Sequence, residues 1–183
     1  MKINLKSLSL IALFAALICV LSPVCISMPT GVPLTLQTLI IALSAFLLGA
    51  KSGTAAVTCY VLIGAVGLPV FSGYTAGVGA LLSPTGGFIF AFPVFAFVLS
   101  LVFYVNKTAY RFLLSFAALV LLYLAGTVQF ALLTGNGVSA ALSAFSLYFI
   151  KDVAVVFAAY FLCVRIRPTF IKFMQPKLKS KLK

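Results

Sequence analysis

From Ser7 to Ala50, from Ser52 to Asn106 and from Phe112 to Ile150 this chain carries no charged side chain. Runs of that length cannot clothe themselves in solvated groups, so much of their surface has to meet something other than water. Of the 183 residues 8% are charged and 64% apolar, where a soluble domain carries roughly a quarter charged. An integral membrane protein is expected. The same shortage excludes most enzymology. With one Asp+Glu and no His, paired carboxylates, Ser-His-Asp triads and imidazole metal sites cannot be assembled.

A formal charge of +12 would suggest nucleic acid in a soluble protein, but here the bases punctuate apolar runs instead of lining a polar fold. Cys19, Cys25, Cys59 and Cys163 form no C-x-x-C pair and are taken as small apolar helix residues. No metal or cofactor is implied.

Measured against roughly 20 apolar residues per crossing, the expected spans are Leu8–Ile26, Leu34–Leu48, Thr54–Leu68, Gly87–Tyr104, Phe112–Leu133 and Leu142–Val164. That is an all-α, six-helix membrane protein forming one domain over residues 1–183. Its helical core covers about 8–167, and a basic tail follows over 168–183. Lys2 and Lys6 before the first apolar run resemble a signal peptide, but the run exceeds an ordinary h-region, so a retained first helix is expected.

Basic residues fix the expected orientation, because short Lys/Arg-rich connections stay cytoplasmic. Lys2, Lys6, Lys51, Lys107, Arg111 and the bases from Arg165 to Lys183 all fall on one side of six crossings, which puts both termini inside. The other connections, Ser27–Pro33, Pro69–Gly86 and Thr134–Ala141, hold no charge. Lys151 alone escapes this rule. The tail is taken as a stop-transfer flank that touches anionic membrane lipid.

Polar residues inside spans, or at their outer ends, are site candidates because lipid makes them costly. Asp152 leads, about a third of the way into the sixth span from the outside. Its neighbour Lys151 diverges by about 100° around a helix, so a pair is not assured. Thr85-Gly86-Gly87, opening the fourth span after Ser83-Pro84, offers bare backbone amides to an anion or carbonyl, or is simply a turn. The loop from Gly67 to Gly79 suggests a lid in which Phe71 or Tyr74 covers a small ring. Thr35, Gln37 and Thr38 bring hydrogen-bonding groups to the second span, Gln37 being the better ligand candidate. Tyr123 and Gln129 have a plausible depth in the fifth. Ala12 and Ala16 form a small-xxx-small pair permitting close helix approach, for internal packing or for a partner. No complete Walker loop occurs, so ATP-driven work would need another subunit.

In order and spacing, Pro33-Leu-Thr-Leu-Gln-Thr38, Gly67-Leu-Pro-Val-Phe-Ser-Gly73, Ser83-Pro-Thr-Gly-Gly-Phe88 and Asp152 resemble the BioY family, from about Leu8 to Arg167. These are biotin-binding substrate components of energy-coupling factor transporters. The resemblance implies a six-helix protein that captures biotin from outside under its outer loops. It would work with a transmembrane coupling subunit, contacted through Ala12 and Ala16, and with two ATPase subunits. Asp152 would accept the ureido N–H groups, Thr85-Gly86-Gly87 a polar end of the ligand, and Phe71, Tyr74 and Tyr123 would pack on its rings. One position departs from the family pattern of Gly-Asp with Lys three residues later: Lys151 precedes Asp152 and Val155 occupies the lysine position. The alternatives carried beside biotin uptake are a substrate component for another vitamin or small heterocycle, a proton-coupled secondary carrier with Asp152 as relay, and a non-transport scaffold.

Overall fold

In lipid the backbone itself must be hidden, and a helix does this within one segment. The computed structural model describes residues 5–26, 33–135 and 137–174. Its helices are α1 (Leu5–Leu21), α2 (Gln37–Val66), α3 (Gly77–Leu81), α4 (Gly86–Ser100), α5 (Thr108–Thr134) and α6 (Val138–Met174). Single 3-10 turns occupy Ser72–Tyr74 and Leu101–Tyr104. A two-residue antiparallel ribbon, β1 (Cys25–Ile26) with β2 (Leu34–Thr35), pairs Cys25 with Thr35 and Ile26 with Leu34.

Among the described residues four helical segments are long and apolar enough to cross a membrane, Gln37–Val66, Gly86–Tyr104, Thr108–Thr134 and Val138–Phe170, and α1 is a shorter apolar helix. The expected second and third spans both lie in α2, which reverses at Gly49. That residue has φ 75° and ψ −176°, a conformation that glycine adopts without the Cβ clash other residues meet. Two contacts prove the reversal. Gln37 Nε2 donates to Tyr60 Oη at 2.8 Å, although a straight helix would hold them roughly 34 Å apart along its axis. A Cβ built on Gly53 would stand 3.0 Å from the Ala45 Cα. The two arms of α2, together with α1, α4, α5 and α6, account for the six expected segments.

The boundaries differ in ways the chain explains. The first helix stops at Leu21, short of the expected Ile26, because Pro23 follows; Cys25 is therefore a ribbon residue and not a helix one. The fifth begins at Thr108 and the sixth runs from Val138 through Pro168 to Met174, beyond the expected Val164. A proline removes one helical donor, which an end near the water interface can bear. Lys2, residues 27–32 of the first outer connection and the tail beyond Met174 lie outside the described residues.

Because helices in lipid associate through close packing more than through exclusion of water, rings are seated over glycines. A Cβ on Gly64 would meet the Phe71 ring at 2.2 Å, and one on Gly126 would meet the Phe88 ring at 2.2 Å. Phe46, Tyr60, Phe95, Leu99, Leu119 and Leu122 form the buried centre where the arms of α2 meet α4, α5 and α6. The ribbon, the loop before α4 and the α5–α6 connection gather at the end opposite Gly49. A cavity opens there.

Candidate functional site

The cavity has a volume of about 790 Å³, within the range of small-molecule pockets. Aromatic and aliphatic side chains supply most of its exposed wall, hydroxyl and amide side chains are spread around it, and its one carboxylate is Asp152 of α6. Because α6 begins at Val138, Asp152 is about 21 Å of helix rise from its start. It is 5% exposed.

Three elements meet at this carboxylate. Tyr123 of α5 donates its hydroxyl to Asp152 Oδ2 at 2.7 Å. Lys151 Nζ lies 2.6 Å from Oδ1 and donates to the carbonyl of Thr35 in β2 at 3.1 Å. Sequence adjacency does not keep Lys151 and Asp152 apart, since the flexible lysine stem brings the ammonium back over its neighbour. An ammonium thus meets the carboxylate from one residue upstream of the acid, while Val155 brings none. The pair also fastens the ribbon to α6. Tyr123 is itself held by rings, edge-on to Phe88 at 5.3 Å and to Phe149 at 5.1 Å, so its hydroxyl is aimed by packing.

From Thr35 the bonding continues away from the ion pair: its Oγ1 donates to Gln37 Oε1 at 3.2 Å, and Gln37 Nε2 donates to Tyr60 Oη. Gln37 is thus oriented by the second arm of α2, and Thr35, Gln37 and Thr38 all reach the cavity. Phe71 reaches it too, but as a fixed wall: it is 1% exposed, seated on Gly64 and edge-on to Tyr60 at 5.6 Å. Beside it Ser72 Oγ is buried with no hydrogen-bond partner, leaving a donor and acceptor for a ligand. Tyr74 turns outward, 68% exposed and with φ 61°, and takes no part in the wall.

The glycine pair at the start of α4 has a different task from the one its sequence suggests. Thr85 lines the cavity and Gly86 and Gly87 do not. Gly86 N–H already donates to the Ser83 carbonyl and Phe88 N–H to the Thr85 carbonyl. A Cβ on Gly86 would come within 1.8 Å of the Leu81 carbonyl oxygen, and one on Gly87 within 2.5 Å of the Ala125 carbonyl oxygen. The pair lets α4 press against α3 and α5 behind the wall. Gln129 is structural as well: its Nε2 donates at 2.8 Å to both the Leu81 and Ser83 carbonyls, tying the loop to α5.

The sequence offered Phe88 and Ser72 only as members of their motifs and gave no signal for Phe145 and Tyr148; all four line the cavity. In a chain this aromatic a ring facing a ligand and a ring facing a neighbour look the same. Far from the cavity, α1 packs through Phe14, Ala15 and Ile18, so Ala12 and Ala16 lie exposed on its outer face. Among the described residues nothing buries them.

The sequence profile of the BioY family matches residues 1–172. The chain belongs to the BioY family. A Pyrococcus horikoshii protein named "Probable biotin transporter BioY" is 38% identical over 130 residues, 71% of this chain and 77% of that protein. The Thermotoga maritima "Biotin transporter BioY" is 53% identical over 77 residues, 42% of this chain and 46% of its own length. Among solved structures, the S-component for biotin from an ECF-type ABC transporter superposes with a TM-score of 0.81 at 21% identity, covering 92% of this chain and 95% of that one. At that identity the likeness establishes the fold. This BioY-family chain is a multi-pass membrane protein.

Proposed function

We propose that this chain takes up biotin across the cytoplasmic membrane as the substrate-binding component of an energy-coupling factor transporter. The observation that carries the proposal is the Lys151–Asp152–Tyr123 cluster, buried in an aromatic cavity of ligand size. The names of the BioY relatives supply the ligand. Biotin presents two ureido N–H donors, a ureido carbonyl, an apolar fused ring and a carboxylate on a flexible chain. A carboxylate has about four acceptor sites. Tyr123 engages one at Oδ2, while Oδ1, ion-paired to Lys151, accepts no hydrogen bond among the described residues, which leaves acceptors for the ureido N–H groups in a setting where charge-assisted bonds are strong. Lys151 faces the same space and supplies a cation for the ligand carbonyl or carboxylate. Thr35, Gln37, Ser72 and Thr85 supply neutral partners, and Phe71, Phe88 and Phe145 the apolar walls.

In this proposal the charge-free connections face outward with the cavity, and Lys51, Lys107, Arg111 and the bases after Val164 face the cytoplasm, as the positive-inside rule requires. The transmembrane coupling subunit docks on the α1 face bearing Ala12 and Ala16, and two ATPase subunits supply the energy. Equilibrium binding to the purified chain tests the ligand directly: biotin should saturate one site while other vitamins do not compete. Competition by another vitamin with biotin inert would transfer the site to that vitamin. Binding of neither would leave a scaffold. Uptake abolished by an uncoupler at constant ATP would make the chain a proton-coupled carrier.

A further inference from the structure

The end of the bundle around Gly49 holds a second polar cluster that the cavity does not use. A Cβ on Gly49 would be 4.0 Å from Tyr104 Oη, and Phe46 of the first α2 arm lies edge-on to Phe103 at 5.7 Å. Phe103 stacks on Tyr160 with centroids 5.7 Å apart. Two guanidinium groups approach this one ring, Arg167 at 4.1 Å and Arg111 at 5.9 Å from its centroid. They therefore lie within about 10 Å of one another, comparable to the Debye length at moderate salt.

Neither arginine has an acidic partner among the described residues. The chain has one Asp+Glu; that acid, Asp152, is taken by Lys151, and it lies about 22 Å of helix rise from Arg167. Arg111 is held in place, its Nε donating to the Val105 carbonyl at 2.7 Å and its Nη1 reaching Tyr160 Oη at 3.4 Å. Arg167 has no hydrogen-bond acceptor among the described residues, and its Nε is buried without one. Two like charges set around a flat ring, one with a buried Nε–H unsatisfied, suit a shared oxyanion. The guanidinium fork matches phosphate oxygens bidentately and gives up its water easily.

We propose that Arg111 and Arg167 form a binding site for the phosphate of a membrane lipid headgroup. The location selects a lipid over a free anion. Arg167 sits three residues inside the end of the apolar segment Val138–Phe170, at the depth where hydrocarbon gives way to headgroups. Leu113 and Phe161 expose apolar surface on α5 and α6 at the same end, on which an acyl chain can lie. An anionic lipid is favoured over a zwitterionic one because the cluster carries two uncompensated positive charges.

The test uses the delipidated, purified full chain and native mass spectrometry, titrated separately with phosphatidylglycerol, phosphatidylcholine and inorganic phosphate. The first phosphatidylglycerol should bind more tightly than phosphatidylcholine, and inorganic phosphate should not be retained. Arg167→Gln should weaken that first phosphatidylglycerol about five-fold, as for one basic residue facing an anionic surface. Arg167→Lys should fall between, and Lys172→Gln, at an exposed position nearby, should change little. Unchanged biotin binding and thermal unfolding would show that the variants are folded. Equal lipid retention by wild type and Arg167→Gln would overturn the proposal, as would retention of inorganic phosphate in place of lipid. If Arg167→Gln instead reduced co-purification of the coupling subunit with lipid retention intact, the site would belong to a protein carboxylate and the proposal would fail.

Discussion

Replacing Lys151 by Met tests whether the ion pair at the cavity stabilises the fold or serves only the ligand. The side chains of Lys151 and Asp152 are 24% and 7% exposed, so the pair is unequal. Removing the lysine strands a nearly buried carboxylate whose remaining protein bond is the Tyr123 hydroxyl. Insertion scales place a lone aspartate at about 2.5–3.5 kcal/mol, and breaking a fully buried pair costs about 3–5 kcal/mol. With one bond retained, about 2–3 kcal/mol is expected for Lys151→Met. The converse change, Asp152→Asn, leaves a lysine that keeps its bond to the Thr35 carbonyl and can swing its ammonium toward the cavity mouth, so a loss of about 1 kcal/mol is expected. The double variant should then be less destabilised than Lys151→Met alone, since the stranded charge is gone. Thermal and denaturant unfolding of the four proteins in one detergent, without biotin, measures all these terms. If Lys151→Met unfolds like wild type, or if the two losses simply add, the pair does not neutralise Asp152 in the folded protein and the reasoning fails.

Asp152→Asn should weaken biotin binding at least about tenfold, the difference of roughly 1.5 kcal/mol between charge-assisted and neutral hydrogen bonds; isothermal titration with unchanged affinity would remove Asp152 from the site. Gly86→Ala should fail to accumulate or unfold at much lower temperature, because its methyl would collide with the fixed backbone oxygen of Leu81; a normally folded variant would show that α3 yields easily. Ala12→Leu and Ala16→Leu should leave biotin binding intact and reduce co-purification with the coupling subunit. Undiminished association would point to another face of the chain.

The span count was legible because lipid imposes one requirement on every crossing, and Gly49-Ala50-Lys51-Ser52-Gly53 interrupts an apolar stretch at the right place. Asp152 was legible for the same reason: a lone carboxylate in an apolar helix demands a partner. Which partner was not legible, because helix geometry fixes where a Cβ points but not where a lysine ammonium ends. Nor was the facing of Tyr123 or Gln129. A helix that is apolar all round has no stripe to mark its inner side, so one faced the cavity and the other a loop. Thr85-Gly86-Gly87 was half legible. Its glycines do mark a close approach, but of backbone to backbone, and only the threonine stands in the wall.

The reversal at Gly49 also sets the parity of the whole chain. Were α2 to run straight, its 30 residues would make a single tilted crossing, and everything downstream would exchange sides of the bilayer. The cavity wall contributed by α4, α5 and α6 would then face away from Thr35 and Gln37. A single left-handed glycine thus decides whether two halves of one pocket are on the same side of the membrane.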